Sequence, residues 1–283
     1  MATDSAVMTN AGPSGKSTWF LPREHGATAM LFTPIVCAAI LSRSWRWSEL
    51  ATLTAAFAAL AAKDPMVTLA RQRFVWKQWH DETSAAIRWL SGWMILLAIS
   101  GIVLLFAWPF TATVSLGLGV GVFSALAIAI NVKNRQRSTL FQIVSALALT
   151  SSSLAISLSA TGTIAPWCWA LWLLLALQAT AGILVVHARL DARIALRSTA
   201  HARENYRRAA QISFVVLLAA AAGAIVLHHS IIALALVIAA IGYAYDLRRQ
   251  RNLQALQLPL KSVGQQALAL SSLYAILLII GLW

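Results

Sequence analysis

Acidic residues are scarce in this chain of 283 residues, which holds only 9 Asp and Glu. Charged residues of both signs amount to 11% of it, against 59% hydrophobic residues. A soluble domain of this size covers its surface with about 25% charged residues, so a soluble globular protein is excluded. Cysteine is nearly absent too. Cys37 and Cys168 both fall inside apolar runs, where they read as small buried residues, and two such positions make no disulfide framework and no zinc site. No apolar stretch opens the chain, so no signal peptide is expected, and residues 1–21 read as a disordered cytoplasmic tail. Within that tail, residues 10–18 imitate a phosphate-binding P-loop. The imitation fails because Asn10 stands where the first glycine is needed and no strand precedes it. No internal repeat of the solenoid type appears.

Long apolar runs are what the chain has instead. They predict an all-α polytopic membrane protein of nine spans, at residues 26–42, 48–70, 88–107, 110–130, 139–160, 165–187, 209–228, 230–246 and 262–282. Each is close to the ~20 residues that cross ~30 Å of hydrocarbon. Residues 22–283 are expected to form one nine-helix domain. Of 22 Lys and Arg, 20 fall at the ends of alternate runs, and the intervening connections hold only Arg43 and Arg46. Basic loops stay in the cytoplasm, so the N-terminus is predicted inside and the C-terminus outside. Tryptophans near the span ends suit the two interfaces. A net charge of +13 follows from this asymmetry, so nucleic acid is not an expected partner. The lipid bilayer is the expected one, in a bacterial cytoplasmic (inner) membrane. The outer connections read as tight turns. The inner ones, 71–88, 188–208 and 247–261, read as longer loops, the usual place for function.

Four places at the inner ends carry chemistry-bearing side chains. The first is Pro22-Arg23-Glu24-His25-Gly26, before the first span. The second is Lys63-Asp64-Pro65, where Asp64, Thr68 and Arg71 share a helical face and Pro65 predicts a kink. The third is the run from Lys133 through Arg137 and Thr139 to Gln142. The fourth is His187 with Asp191, four residues apart, near Arg189 and Arg197. Ionisable groups at membrane boundaries are costly and point to function. Plainer roles suit the same residues: loop arginines among headgroups, Asp64 neutralising Lys63 or Arg71, and His187 with Asp191 as a surface pair. His80, Asp81 and Glu82 read as a solvated patch, and His228 and His229 have no evident partner.

The motif Pro22–Gly26, followed by an apolar span with Pro34, resembles the YwiC-like family of bacterial membrane proteins. The nine-span plan resembles, more distantly, the UbiA superfamily of prenyltransferases. Three local runs carry that second resemblance: Asp64 at the end of the second span, Arg137-Ser138-Thr139 with Gln142 after the fourth, and His187 and Asp191 before Arg197-Ser198-Thr199-Ala200. The resemblance implies a UbiA-like bundle, with Asp64, His187 and Asp191 as catalytic candidates. It implies phosphate binding by Arg23, His25, Lys63, Arg71, Lys133, Arg137, Gln142, Arg189 and Arg197. Mg²⁺ is the cofactor it implies, with Asp64 and Asp191 as ligands. The UbiA acidic motif is degenerate here, however. Lys63, Val67 and Arg71 replace its other polar and acidic positions, so cations stand where metal ligands belong. Three readings follow: a binder of a prenyl lipid, quinone or anionic lipid, an active prenyltransferase, and, with less support, a transporter. Whether the chain is an enzyme stays open at this level.

Overall fold

The computed structural model describes residues 25–132, 138–197, 204–258 and 260–283, and of residues 25, 196, 197, 204, 205, 253, 260 and 261 the backbone alone. The expected tail, 1–21, lies outside the described residues, which contain helices and no strand. In chain order the helices are α1 (His25–Ser42), α2 (Trp47–Arg71), α3 (Thr83–Ala107), α4 (Phe110–Val132), α5 (Thr139–Thr150), α6 (Ser152–Thr161), α7 (Pro166–Arg197), α8 (Glu204–Val226), α9 (Ser230–Arg249), α10 (Leu253–Leu256) and α11 (Leu260–Leu282). A π-helical turn, Gln72–Trp76, extends α2.

Eight helices are long and apolar enough to cross a membrane, counting α5 and α6 as one span. The first of the nine expected spans is present among the described residues as a shorter apolar helix, Gly26–Ser42. The first apolar helix has 18 residues, about 27 Å, which falls short of ~30 Å of hydrocarbon. It is apolar on all sides because it is central. It packs against α2, α5, α6, α7 and α11, and its Leu31, Ile35, Cys37 and Ala38 join the main core. That core continues through Leu171, Leu217, Leu236, Tyr274 and Leu278 of the second half of the chain. By contrast α3 and α4 present Ile95, Phe106, Leu118 and Val122 outward, as lipid-facing helices do.

Three further expectations change. The fifth span is not one smooth helix but divides at Ser151. Thr150 Oγ1 donates to Ala146 O and Ser151 Oγ to Ala148 O, both at 2.7 Å, and such back-bonding bends helices. Lipid offers nothing to the disturbed backbone, so the protein does. Trp172 Nε1 donates to Leu147 O at 3.0 Å, and Ser152 Oγ reaches Leu31 O at 3.1 Å. Next, the long inner loops are mostly helix. The second span runs on to Trp76 and α7 to Arg197, leaving residues 77–82 before α3, while 198–203 lie outside the described residues. Finally, α2 passes through Pro65 without interruption, and its irregular turn comes later, at Gln72–Trp76.

Polar groups inside the span region are matched to one another. Gln178 Nε2 donates to Tyr243 Oη at 2.7 Å and to Ser271 Oγ at 2.8 Å, joining α7, α9 and α11. Tyr243 Oη returns a bond to Gln178 O at 3.1 Å. Gly182, one turn from Gln178, lets Tyr243 approach: a Cβ there would lie 3.1 Å from its hydroxyl.

Candidate functional site

Side-chain contacts sort the helix ends into two groups. At one end Ser48 Oγ donates to Ser159 O at 2.8 Å and Trp108 Nε1 to Ser159 Oγ at 2.9 Å. There too the Arg43 guanidinium lies 3.9 Å from the centre of the Trp283 indole. At the opposite end α2 meets α4, α5 meets α7, and α7 meets α8 and α9 through the residues that the sequence singles out. Among the described residues, every cation except Arg43, Arg46 and Lys63 lies at or beside this second end, because the helices that carry them all terminate or begin there.

His187 is held on two sides at that end. Its Nε2 lies 2.9 Å from Gln142 Oε1, so α7 and α5 are joined by two residues separated by 45 positions in sequence. With Gln142 Oε1 as the acceptor, the ring N–H is on Nε2 and Nδ1 faces away from this bond. The imidazole stacks on Tyr206 of α8, with centroids 5.3 Å apart and planes at 19°. Sequence reading missed Tyr206; its one signal is an aromatic set in the basic run from Arg203 to Arg208. Asp191 lies one turn further along α7, and its Oδ2 is buried without a hydrogen-bond partner among the described residues. His187 stands 21 residues into α7, about 32 Å from its start, at the depth where hydrocarbon gives way to headgroups.

Arg189 points the other way. It is 2% exposed, and its Nη1 lies 2.9 Å from Asp246 Oδ1 of α9. Its Nη2 donates to Ala255 O, and Arg193 donates to the carbonyls of Leu256 and Leu258. Gln250 completes the joint, donating to Val185 O and Asp246 Oδ2, each at 3.3 Å. Two arginines four residues apart on α7 thus strap residues 250–258 across the helix end. Both terminal nitrogens of Arg189 are occupied within the protein, while its buried Nε has no hydrogen-bond partner among the described residues.

Lys63 and Asp64 sit deeper than expected. The second helix continues well past them, so Lys63 lies about 24 Å from Trp47, a little over half of the way along the span to Trp76. Both side chains are half-buried, and Thr68 Oγ1 donates to Asp64 O at 3.1 Å. Arg71, two turns on, donates from Nη2 to Asn131 O at 2.8 Å and so caps the last turn of α4. The remaining predicted residues, Arg23, Lys133 and Arg137, lie outside the described residues, as do the side chains of His25 and Arg197. The convergence of Asp64, Arg137 and Asp191 therefore cannot be drawn from the described side chains.

The donor set does not fit the acidic Mg²⁺ cluster that the UbiA resemblance implies. Among the described residues no three His, Cys, Asp or Glu side chains are placed to share a metal ion. Asp246 is committed to Arg189, and Lys63 adjoins Asp64.

The fold and these ends define a multi-pass α-helical membrane protein whose cations gather at one end. Residues 21–157 match the family model described as YwiC-like protein, which meets the expectation carried by the Pro22–Gly26 motif. No match is found among the curated proteins or among the solved structures.

Proposed function

We propose that this chain binds the polar head of a prenyl lipid, quinone or anionic lipid at the basic end of its bundle, which faces the cytoplasm. The observation that carries this reading is the fixed imidazole of His187, held between Gln142 and Tyr206 at headgroup depth. A preorganised polar group at that level meets a lipid head without a cost of reordering. The cationic helix ends around it suit an anionic head, and basic pockets on the cytoplasmic side are a known means of holding one. Arg71, Lys133, Arg137 and Arg197 form the proposed cationic set, with Arg23, His25 and Lys63 at its margin. Arg189 is left out because its two terminal nitrogens are held by Asp246 and the Ala255 carbonyl. The nine-helix, UbiA-like arrangement of residues 22–283 belongs to the same proposal, with α1 as the ninth helix.

Two experiments test it. Reporter fusions should place residues 198–203 in the cytoplasm and residue 283 outside, as the 20-to-2 division of cations requires. An outside 198–203 segment sinks the reading. Native mass spectrometry of the purified protein should then show an isoprenoid or an anionic phospholipid. Binding of a short prenyl diphosphate should survive EDTA, weaken with salt, and fall about tenfold on His187→Ala or Arg137→Ala, the loss of one charged-group hydrogen bond. Binding abolished by EDTA but unchanged by either substitution would mark an ordinary Mg²⁺ prenyltransferase site instead.

A further inference from the structure

The π-helical turn after α2 is built like an anchor. Gln72 is its single inward residue, 1% exposed, and accepts a 2.7 Å hydrogen bond from Thr83 Oγ1 of α3. Every other residue of the turn faces out, including Phe74 at 73% and Trp76 at 48% exposure. Lys77 then takes a left-handed conformation, φ 55°, which reverses the chain. The reversal brings the His80 ring to 5.3 Å from Trp76 and leaves Trp79 62% exposed. The apolar side chains are thus displayed on an ordered element.

Depth decides what covers them. From Trp47 to Trp76 the helix spans 30 residues, about 42 Å. A bilayer measures about 40–45 Å between its outer headgroup limits. With Trp47 at one interface, Phe74, Trp76 and Trp79 therefore lie in the headgroup layer of the other. Amphipathic rings favour that layer. Arg73 and Lys77 flank them, exposed and with no ion pair among the described residues; Asp81 and Glu82 follow at the start of α3.

We propose that residues 73–79 form an interfacial anchor that seats Phe74, Trp76 and Trp79 among the headgroups and reads anionic phospholipid through Arg73 and Lys77. The partner is the bilayer surface itself, distinct from the single lipid ligand proposed at His187. Charge complementarity selects it: two cations beside exposed aromatics match an anionic headgroup layer, and each adds about fivefold to the preference for anionic lipid.

The test uses the full chain with a nitroxide on Val75→Cys, reconstituted at one copy per nanodisc. In discs of anionic phosphatidylglycerol the label should be open to oxygen and shielded from a water-soluble nickel complex. Discs of phosphatidylcholine alone should shift it toward water, as should high salt and the pair Arg73→Glu with Lys77→Glu. That pair lies on exposed positions, and an unchanged unfolding midpoint confirms that it folds. The label is overturning if it reports water in anionic discs. Equal depth in both lipids, or in the charge-reversed variant, removes the anionic reading. Shielding that appears only with two copies per disc, or with an added cytosolic protein, assigns the surface to a protein contact and refutes the proposal.

Discussion

Arg189→Ala is expected to lower the stability of the bundle by about 3 kcal/mol, the lower end for breaking a buried ion pair, because Asp246 keeps some access to solvent. The substitution deprives the Asp246 carboxylate and the Ala255 carbonyl of their arginine partner and removes one of the ties between residues 250–258 and α7. Arg189→Lys should recover part of the loss, since an ammonium restores the charge but not the two-pronged reach to α9 and to the strap. Thermal unfolding in detergent, followed by helical circular dichroism, should show a midpoint lowered by roughly 10 °C for the alanine variant. An unchanged midpoint with loss of lipid binding would reverse the assignment. Arg189 would then be a ligand contact and not a joint.

Gly182→Val should be nearly as costly. The new side chain starts 3.1 Å from the Tyr243 hydroxyl and has to push it from Gln178. Overpacking of this kind costs about 1–3 kcal/mol. The displaced hydroxyl also leaves Gln178 with one partner fewer in a region without water, so the upper end is expected. Gly182→Ala should show a smaller loss, because Tyr243 has only a few tenths of an ångström to yield. The readout is the same unfolding midpoint. A valine variant as stable as the parent would mean that α7 and α9 do not approach as closely as their hydrogen bonds require.

The positions of the apolar helices were legible because hydropathy is a local property. A run such as Ile212–Val226 cannot be anything but a helix in lipid, whatever its neighbours. The pairing of Gln142 with His187 was not legible, because the two stand 45 positions apart and only the packing of α5 on α7 joins them. Less legible was where each helix stops. Polar residues such as Gln72 and Arg193 read as loop, yet the first is buried by Thr83 and the second by carbonyls of residues 256 and 258. The break at Ser151 was hidden because its hydroxyls compete with the backbone only once Trp172 and Leu31 are in place to complete the exchange.

By itself, then, the sequence determined the membrane class, the order of the spans and the gathering of cations at alternate ends, since burial of apolar surface and the cost of moving charge through lipid act on each segment alone. Only the tertiary structure decided which polar groups are tied to one another within the bundle. Arg189 and His187 are two residues apart on one helix, and nothing local separates them. The direction each faces does: Arg189 meets the Asp246 carboxylate and the Ala255 carbonyl, while His187 meets one amide and a flat ring.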